Sequence, residues 1–97
     1  MNDMVTADVG RICLSRAGRD RGRYFMVTAR DGENYVLVAD GVVRKLAKPK
    51  KKKIKHLKMT PIVLEGIAQK LAEGTKVFDA ELRSAIIQTG LIVQKEE

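Results

Sequence analysis

Residues 9–27, VGRICLSRAGRDRGRYFMV, carry the strongest indication of fold in this 97-residue chain. Two runs rich in β-forming residues, 9–15 and 23–29, flank a short loop that Gly18 and Gly22 bracket. Glycine adopts the positive φ values and the close backbone approach that a sharp turn requires. Since β-forming runs bounded by turn residues are typical of strands, the stretch predicts a strand–loop–strand unit.

Three further strands are predicted after this unit. Residues 34–39 repeat the alternating pattern, and Asp-Gly pairs stand at 31–32 and 40–41. Asp-Gly is a strong hairpin signal, so a fourth strand is expected at residues 42–43. A fifth short strand is expected at 54–57, after the lysine run. Because both faces of these segments are largely apolar, they favour a small closed barrel of about five strands over a flat sheet.

The pattern changes from strand to helix near residue 60. Thr60 is a candidate N-cap, and a helix is predicted over residues 61–73 with Gly74 as its stop. A second helix is predicted from Asp79, its N-cap, to Gly90. Such short helices are marginal alone, so they should pack on each other or on an open side of the barrel.

The predicted fold is therefore mainly β with C-terminal helices. Residues 1–58 form the barrel, with a basic arm at 44–58, and residues 59–97 form a helical extension packed on it. The formal net charge is +7, and residues 44–58 carry nine basic side chains and no acid, which is more than the whole excess. So focused a charge indicates a polyanionic partner. The alternatives are a solvated linker and a contact for acidic protein or lipid.

Composition excludes several other classes. A single cysteine, Cys13, cannot form an internal disulfide, so the reducing cytoplasm is the expected location and a buried apolar filler the expected role. One Cys and one His in no ligand spacing predict no metal site. No secretory signal or membrane-spanning run is visible. No catalytic set is evident, so the chain is not expected to be an enzyme or to need a cofactor or small-molecule substrate.

The loop between the first two strands carries alternating arginines, Arg19, Arg21 and Arg23. The guanidinium fork suits phosphate oxygens and base edges, although an ordinary hairpin with solvated arginines accounts for the same spacing. Between two of them Asp20 is expected to cap the loop or to pair with a neighbouring arginine.

The segment also resembles the KOW motif, a strand–loop–strand unit of SH3-like barrels, through Val9-Gly10, Gly18, Gly22 and the following apolar strand. In order along the chain, the segments resemble KOW-domain RNA-binding proteins, in particular small bacterial relatives of the archaeal and eukaryotic large-subunit ribosomal protein fourteen. This resemblance implies an SH3-like barrel that binds RNA, mainly ribosomal RNA in the ribosome, without catalysis.

Charge and resemblance together define the candidate RNA-binding residues. They are Arg16, Gly18, Arg19, Arg21, Gly22, Arg23, Arg44, Lys45, Lys48, Lys50, Lys51, Lys52, Lys53, Lys55, His56 and Lys58. The lysines are expected to contact phosphates, and the loop arginines to make the more selective contacts. His56 is interpreted as a surface hydrogen-bonding group beside RNA rather than a catalytic base. Tyr24 and Tyr35 are expected to pack on the barrel rather than to stack on bases.

The alternative function is a protein-interaction module of the transcription or translation machinery. It would use the SH3-like barrel and the helical tail. Nucleic acid that is carried through purification would distinguish the two functions.

Overall fold

The computed structural model describes residues 5–92. The amino-terminal residues before this range and the end of the predicted helical extension lie outside the described residues. The elements in chain order are β1 (Arg11–Ser15), β2 (Tyr24–Asp31), β3 (Tyr35–Ala39), β4 (Lys50–Lys53), a 3₁₀ turn (Ile54–His56), β5 (Leu57–Val63), α1 (Glu65–Glu73) and α2 (Asp79–Gln88). The first three strands and the presence of two helices confirm the predictions.

The five strands form one antiparallel sheet in the order β4-β3-β2-β1-β5. Consecutive strands β1 to β4 are neighbours, and β5 returns to the far edge beside β1. The 3₁₀ turn Ile54–His56 joins β4 directly to β5, so one short turn connects the two edges of the sheet. Bulges in β1 and β2 interrupt the pairing register, and such irregularities increase local twist. The architecture is a small SH3-like barrel followed by two helices.

The sheet has an apolar core on each face, which explains why both faces of the predicted strands are hydrophobic. Cys13 and Phe25 point into the barrel, whereas Ile12 and Met26 point to the helices. The inner core consists of Ala7, Cys13, Phe25, Val27, Val36, Val38 and Leu57. The outer core consists of Ile12, Met26, Ala39, Ile67, Val77, Leu82 and Ile86. The helices therefore cover an outer face that a bare barrel would leave exposed to water.

The inner core holds the single cysteine. Cys13 is fully buried, and its Sγ lies 3.6 Å from the carbonyl oxygen of Phe25. Burial raises the pKa of the thiol to about 12 because desolvation disfavours the thiolate. The prediction of a buried apolar filler is confirmed.

The positions of the fourth and fifth strands were predicted wrongly. Val42 and Val43 are not in a strand, and the Asp-Gly pair at 40–41 opens a loop instead of a tight hairpin. The carboxylate Oδ1 of Asp40 accepts hydrogen bonds from the N–H groups of Val42, Val43 and Arg44 at 2.9–3.0 Å. These three bonds hold the loop in a bent form that leaves no backbone donor there for a ladder. The lysine run itself is β4.

The start of the first helix was also predicted wrongly. Thr60 and Pro61 lie within β5, and α1 begins at Glu65. The Thr60 hydroxyl donates to the carbonyl of Ile12 at 2.8 Å rather than capping a helix. Proline is tolerated because β5 is an edge strand, where one side needs no backbone donor. The second helix likewise begins after Phe78 as N-cap, and Asp79 is its first residue.

Candidate functional site

The loop of residues 16–23, called the glycine loop below, is held in shape by hydrogen bonds of its own backbone. Gly18 and Gly22 have φ values of +80° and +87°, so both use the left-handed region that glycine permits. The N–H of Gly22 donates to the carbonyl of Ser15 at 2.8 Å, and the N–H of Arg23 donates to that of Asp20 at 2.9 Å. The three arginines Arg16, Arg19 and Arg21 are exposed around this ordered loop.

Asp20 points inward from the loop and meets cations from distant parts of the chain. It is 9% exposed, and its Oδ2 lies 3.4 Å from Lys50 Nζ, 3.8 Å from Lys52 Nζ and 3.9 Å from an Nη atom of Arg44. The expectation that Asp20 pairs with a neighbouring arginine is therefore corrected, because these partners are remote in sequence. The contacts join the glycine loop to β4 and to the loop that precedes it.

The four lysines of β4 alternate between two environments. Lys50 and Lys52 face Asp20, whereas Lys51 and Lys53 lie on the opposite face with their ammonium groups 4.7 and 6.0 Å from the centre of the Tyr35 ring. Such separations are within cation–π range. Tyr35 is half-buried and lies beneath these lysines, which matches its expected role as surface cover of the barrel.

Lys52 differs from every other lysine of the basic arm because it is buried. It is 8% exposed, and its ammonium donates to Ser15 Oγ at 3.0 Å and to the carbonyl of Ala17 at 3.2 Å. Together with the Asp20 carboxylate, these partners compensate the charge inside the protein. Lys52 therefore holds the strand against the glycine loop and does not present its charge at the surface.

A second buried carboxylate positions Arg44. Asp40 binds the backbone of residues 42–44 through Oδ1, and its Oδ2 lies 3.3 Å from Arg23 Nε. The loop so formed carries Arg44 towards Asp20. Two aspartates thus organise two of the predicted arginines, a role that the charge pattern alone did not indicate.

These groups surround an open cleft of about 480 Å³. Its lining residues are Arg19, Asp20, Arg21, Gly22, Arg23, Val43 and Arg44. Within residues 5–92, the buried side-chain atoms without a hydrogen-bond partner are Asp20 Oδ2, Arg23 Nε and Arg44 Nε, and all three residues line this cleft. Four guanidinium groups around one concave surface are suited to an anion with several oxygen atoms.

The remaining predicted residues lie along the same basic segment. Lys45, Lys48, Lys55, His56 and Lys58 are all exposed. The backbone carbonyl of His56 accepts a hydrogen bond from the N–H of Arg16 at 2.9 Å, which connects the 3₁₀ turn to the glycine loop. The structure thus brings most of the candidate residues around the loop, β4 and the adjoining turns.

Phe78 and Lys76 are exposed in the loop between the helices and are not among the residues predicted from the sequence. A signal was present, because Phe78 is the aromatic residue outside the predicted strands.

No helix among the described residues is long and apolar enough to cross a membrane. The same residues contain no group of three or more potential metal ligands.

Comparison with known proteins identifies a relative over nearly the full length. No family model matches the chain. The chain is 33% identical over 88 residues to the large ribosomal subunit protein eL14 of Desulfurococcus amylolyticus, covering 91% of this chain and 84% of the relative. Identity at this level across most of both sequences, in a chain with the ordered strands and helices described above, establishes common descent. The chain belongs to the eL14 family of large ribosomal subunit proteins.

Proposed function

We propose that this protein is a non-enzymatic RNA-binding protein of the ribosome that contacts structured ribosomal RNA in the cytoplasm. Its similarity to a large-subunit ribosomal protein supports the association with ribosomes. We further propose that the chain is one of the small bacterial relatives of that family, which its KOW-like segment resembles. The observation that carries the proposal is the convergence of Arg44, Lys50 and Lys52 on Asp20, which joins the glycine loop and the basic arm into one surface.

The surface combines two kinds of cation with different tasks. Arg19 and Arg21 are exposed at the cleft, where the planar guanidinium can bind phosphate oxygens or base edges in a bidentate manner. Lys51 and Lys53 present compact charges on the outer face of β4. We infer that the lysines supply affinity through phosphate contacts and that the arginines supply preference among RNAs.

The buried network keeps this surface rigid. Lys52 donates hydrogen bonds to Ser15 and Ala17 and pairs with Asp20. Asp40 fixes the loop that carries Arg44. Ordering these side chains before binding lowers the entropic cost that RNA association would otherwise carry. Neutralising part of the cationic charge inside the fold also limits self-repulsion in the free protein.

Salt dependence of RNA binding tests the proposal. If about five phosphates are contacted, log Kd plotted against log salt concentration should have a slope of about 3 to 4, since each contact releases condensed counterions. Changing Lys51 and Lys53 to Gln should reduce that slope by about 1.5. Fluorescence anisotropy with a labelled fragment of large-subunit ribosomal RNA measures both values.

Lys52→Gln is the control for burial, since it removes one lysine charge of the same strand from a buried position. It should lower stability while leaving the salt slope of the folded protein nearly unchanged. Replacing Arg19 and Arg21 by Ala should reduce the preference for ribosomal RNA over an unrelated hairpin. A wild-type slope near zero would contradict the electrostatic basis of the proposal.

A protein-interaction module is the second candidate function, and one observation favours it. Val42 and Val43 are about half exposed on the loop that Asp40 holds in place, so apolar surface is presented in a fixed orientation. If a protein is the partner, Val42→Ser with Val43→Ser should abolish its binding. Val42→Ser alone, at a position outside the lining of the arginine cleft, should leave RNA affinity within about twofold of the wild type if RNA is bound mainly through charge.

A further inference from the structure

Phe78 is the one exposed aromatic residue of the chain. All four aromatic residues lie in the described range, and Phe78 is 61% exposed, whereas Tyr24, Phe25 and Tyr35 are buried or half-buried. Its neighbour Val77 is buried in the outer core. The backbone of Phe78 is anchored as well, because its carbonyl accepts a hydrogen bond from the N–H of Leu82 at 3.1 Å. The ring is therefore held outward by an ordered segment.

The position of Phe78 makes that exposure more informative. Phe78 is the N-cap of α2, where Ser, Thr, Asp or Asn would satisfy a free N–H of the first turn. Within the described residues, no side chain makes a capping hydrogen bond at this site. The sequence thus places a large apolar ring where a small polar residue would stabilise the helix. Residues that destabilise the local structure in which they lie are expected at functional positions.

The ring has one lysine beside it and adjoins the basic arm. Lys76 Nζ lies 5.3 Å from the ring centre, within cation–π range. Asp79 Oδ1 accepts a hydrogen bond from the N–H of Leu46 at 2.8 Å, which joins the start of α2 to the arm. A surface cavity of about 300 Å³ lies between the two loops. Its lining residues are Leu46, Ala47, Lys76, Val77, Phe78 and Asp79.

We propose that Phe78 and Lys76 form a second RNA contact, in which the Phe78 ring stacks on an unpaired base and Lys76 binds an adjacent phosphate. The inference rests on the proposed function, since it assigns RNA as the occupant. Charge favours this occupant over an apolar protein surface, because the exposed Lys45 and Lys48 lie on the adjoining arm. An aromatic ring beside lysines is the combination by which proteins hold single-stranded nucleotides. The outer surface of the interhelical loop would thus extend binding from paired to unpaired RNA.

Phe78→Ser separates stacking from folding, because serine is a preferred N-cap residue and should leave thermal stability equal or higher. Binding should be compared on a labelled hairpin RNA with a single-stranded loop and on a fully paired duplex with the same stem. We expect the affinity for the hairpin to fall about fivefold to about 150-fold, the range of base–aromatic stacking, and that for the duplex to change less than about twofold.

Phe78→Trp supplies a direct readout of stacking. The chain contains no tryptophan, so the variant has a single indole at the site. We expect it to retain hairpin affinity and its fluorescence to be quenched by the hairpin but not by the duplex. Lys76→Gln is the matched test of the charge and should weaken binding of the hairpin more than binding of the duplex, since the phosphate it binds lies next to the stacked base.

The outcomes distinguish the two proposals. If the wild type binds the hairpin with a steep salt dependence but Phe78→Ser binds it equally well, the stacking site is wrong and the proposed function stands. If Phe78→Ser loses binding to a protein partner while its affinity for the hairpin RNA is unchanged, the stacking site is likewise wrong. If the wild type binds neither RNA, both proposals fail.

Discussion

Replacing Asp20 by Asn tests whether the buried carboxylate holds the glycine loop on the basic arm. The substitution keeps the shape of the side chain and removes its negative charge. Asp20 Oδ2 lies within 4 Å of Lys50, Lys52 and Arg44, and Lys52 is as buried as Asp20 itself. The variant therefore leaves a buried ammonium without its counter-charge.

The size of the effect follows from burial. Removing one member of a buried ion pair costs about 3–5 kcal/mol, because the remaining charge is left uncompensated. Lys52 keeps its hydrogen bonds to Ser15 and Ala17, and an amide oxygen can still face it. Lys50 and Arg44 are partly exposed, so water screens their share. We expect a loss in the free energy of unfolding of about 3 kcal/mol, at the lower end of the range for buried pairs.

Asp31→Asn is the matched control, since it makes the same chemical change next to the same strand. Asp31 Oδ2 lies 3.3 Å from Lys51 Nζ, but the two side chains are 47% and 56% exposed. Exposed pairs contribute about 0–1 kcal/mol, so the control should lose no more than that. Urea unfolding followed by circular dichroism measures both variants, at low and at high salt. Only the loss caused by Asp31→Asn should shrink in salt.

RNA binding gives a second readout with an unusual sign. Both variants raise the net charge of the protein by one, which should tighten binding to any polyanion. Asp31→Asn should therefore bind RNA more tightly than the wild type. Asp20→Asn should instead lose the preference for ribosomal RNA over an unrelated hairpin, because the loop arginines are no longer held in position. A stability loss for Asp20→Asn no larger than for Asp31→Asn would refute the role of the buried carboxylate.

Two further predictions concern the core and its contact with the helices. Gly41 has a φ of +81°, and an added Cβ would collide with the backbone carbonyl of Asp79, so Gly41→Ala should lower the free energy of unfolding by about 2–5 kcal/mol. Gly32→Ala, at a φ of +77° with open space around the Cβ, should cost only about 1–2 kcal/mol in the same urea titration. Because burial raises the pKa of Cys13 to about 12 from 9.0, the stability due to its neutral thiol is complete below pH 9.0 and is lost as the pH rises towards about 12. Thermal unfolding of the wild type should therefore weaken more than that of Cys13→Val between about pH 8 and about pH 11, and equal losses would contradict the burial of an ionisable thiol.

Local patterns predicted those elements whose residues contrast along the chain. In β1, β2 and β3, apolar residues and turn glycines differ clearly from their neighbours, so strands were found close to their observed bounds. The presence of the two helices was predicted from candidate N-caps and from their terminal glycines. The start of α1 was misplaced, because Thr60 and Pro61 carry a helix signal that pairing between β5 and β1 overrides.

The lysine run shows where local patterns stop being informative. Strand prediction depends on contrast between alternate side chains, and four identical lysines offer none. Their division into an inward pair and an outward pair arises from the pairing of β4 with β3 and from the position of Asp20. The loop of residues 42–43 was predicted wrongly because a contact between distant segments also helps to shape it. The bonds from Asp40 are local, but the contact of Gly41 with Asp79 is not.

Short-range patterns along the chain are enough to predict the mainly β fold with C-terminal helices, the concentration of charge in residues 44–58 and the glycine loop with its arginines. These features depend on composition and on neighbours within a few residues, which act before the chain is compact. Which cations remain available to a partner depends instead on how distant segments pack in the folded protein. Burying Lys52, and bringing Asp20 among three cations and Phe78 beside the basic arm, requires contacts between segments that are far apart in the chain. A buried charge must be compensated by partners inside the protein and is therefore not available to a ligand, and which charges are buried depends on the whole fold.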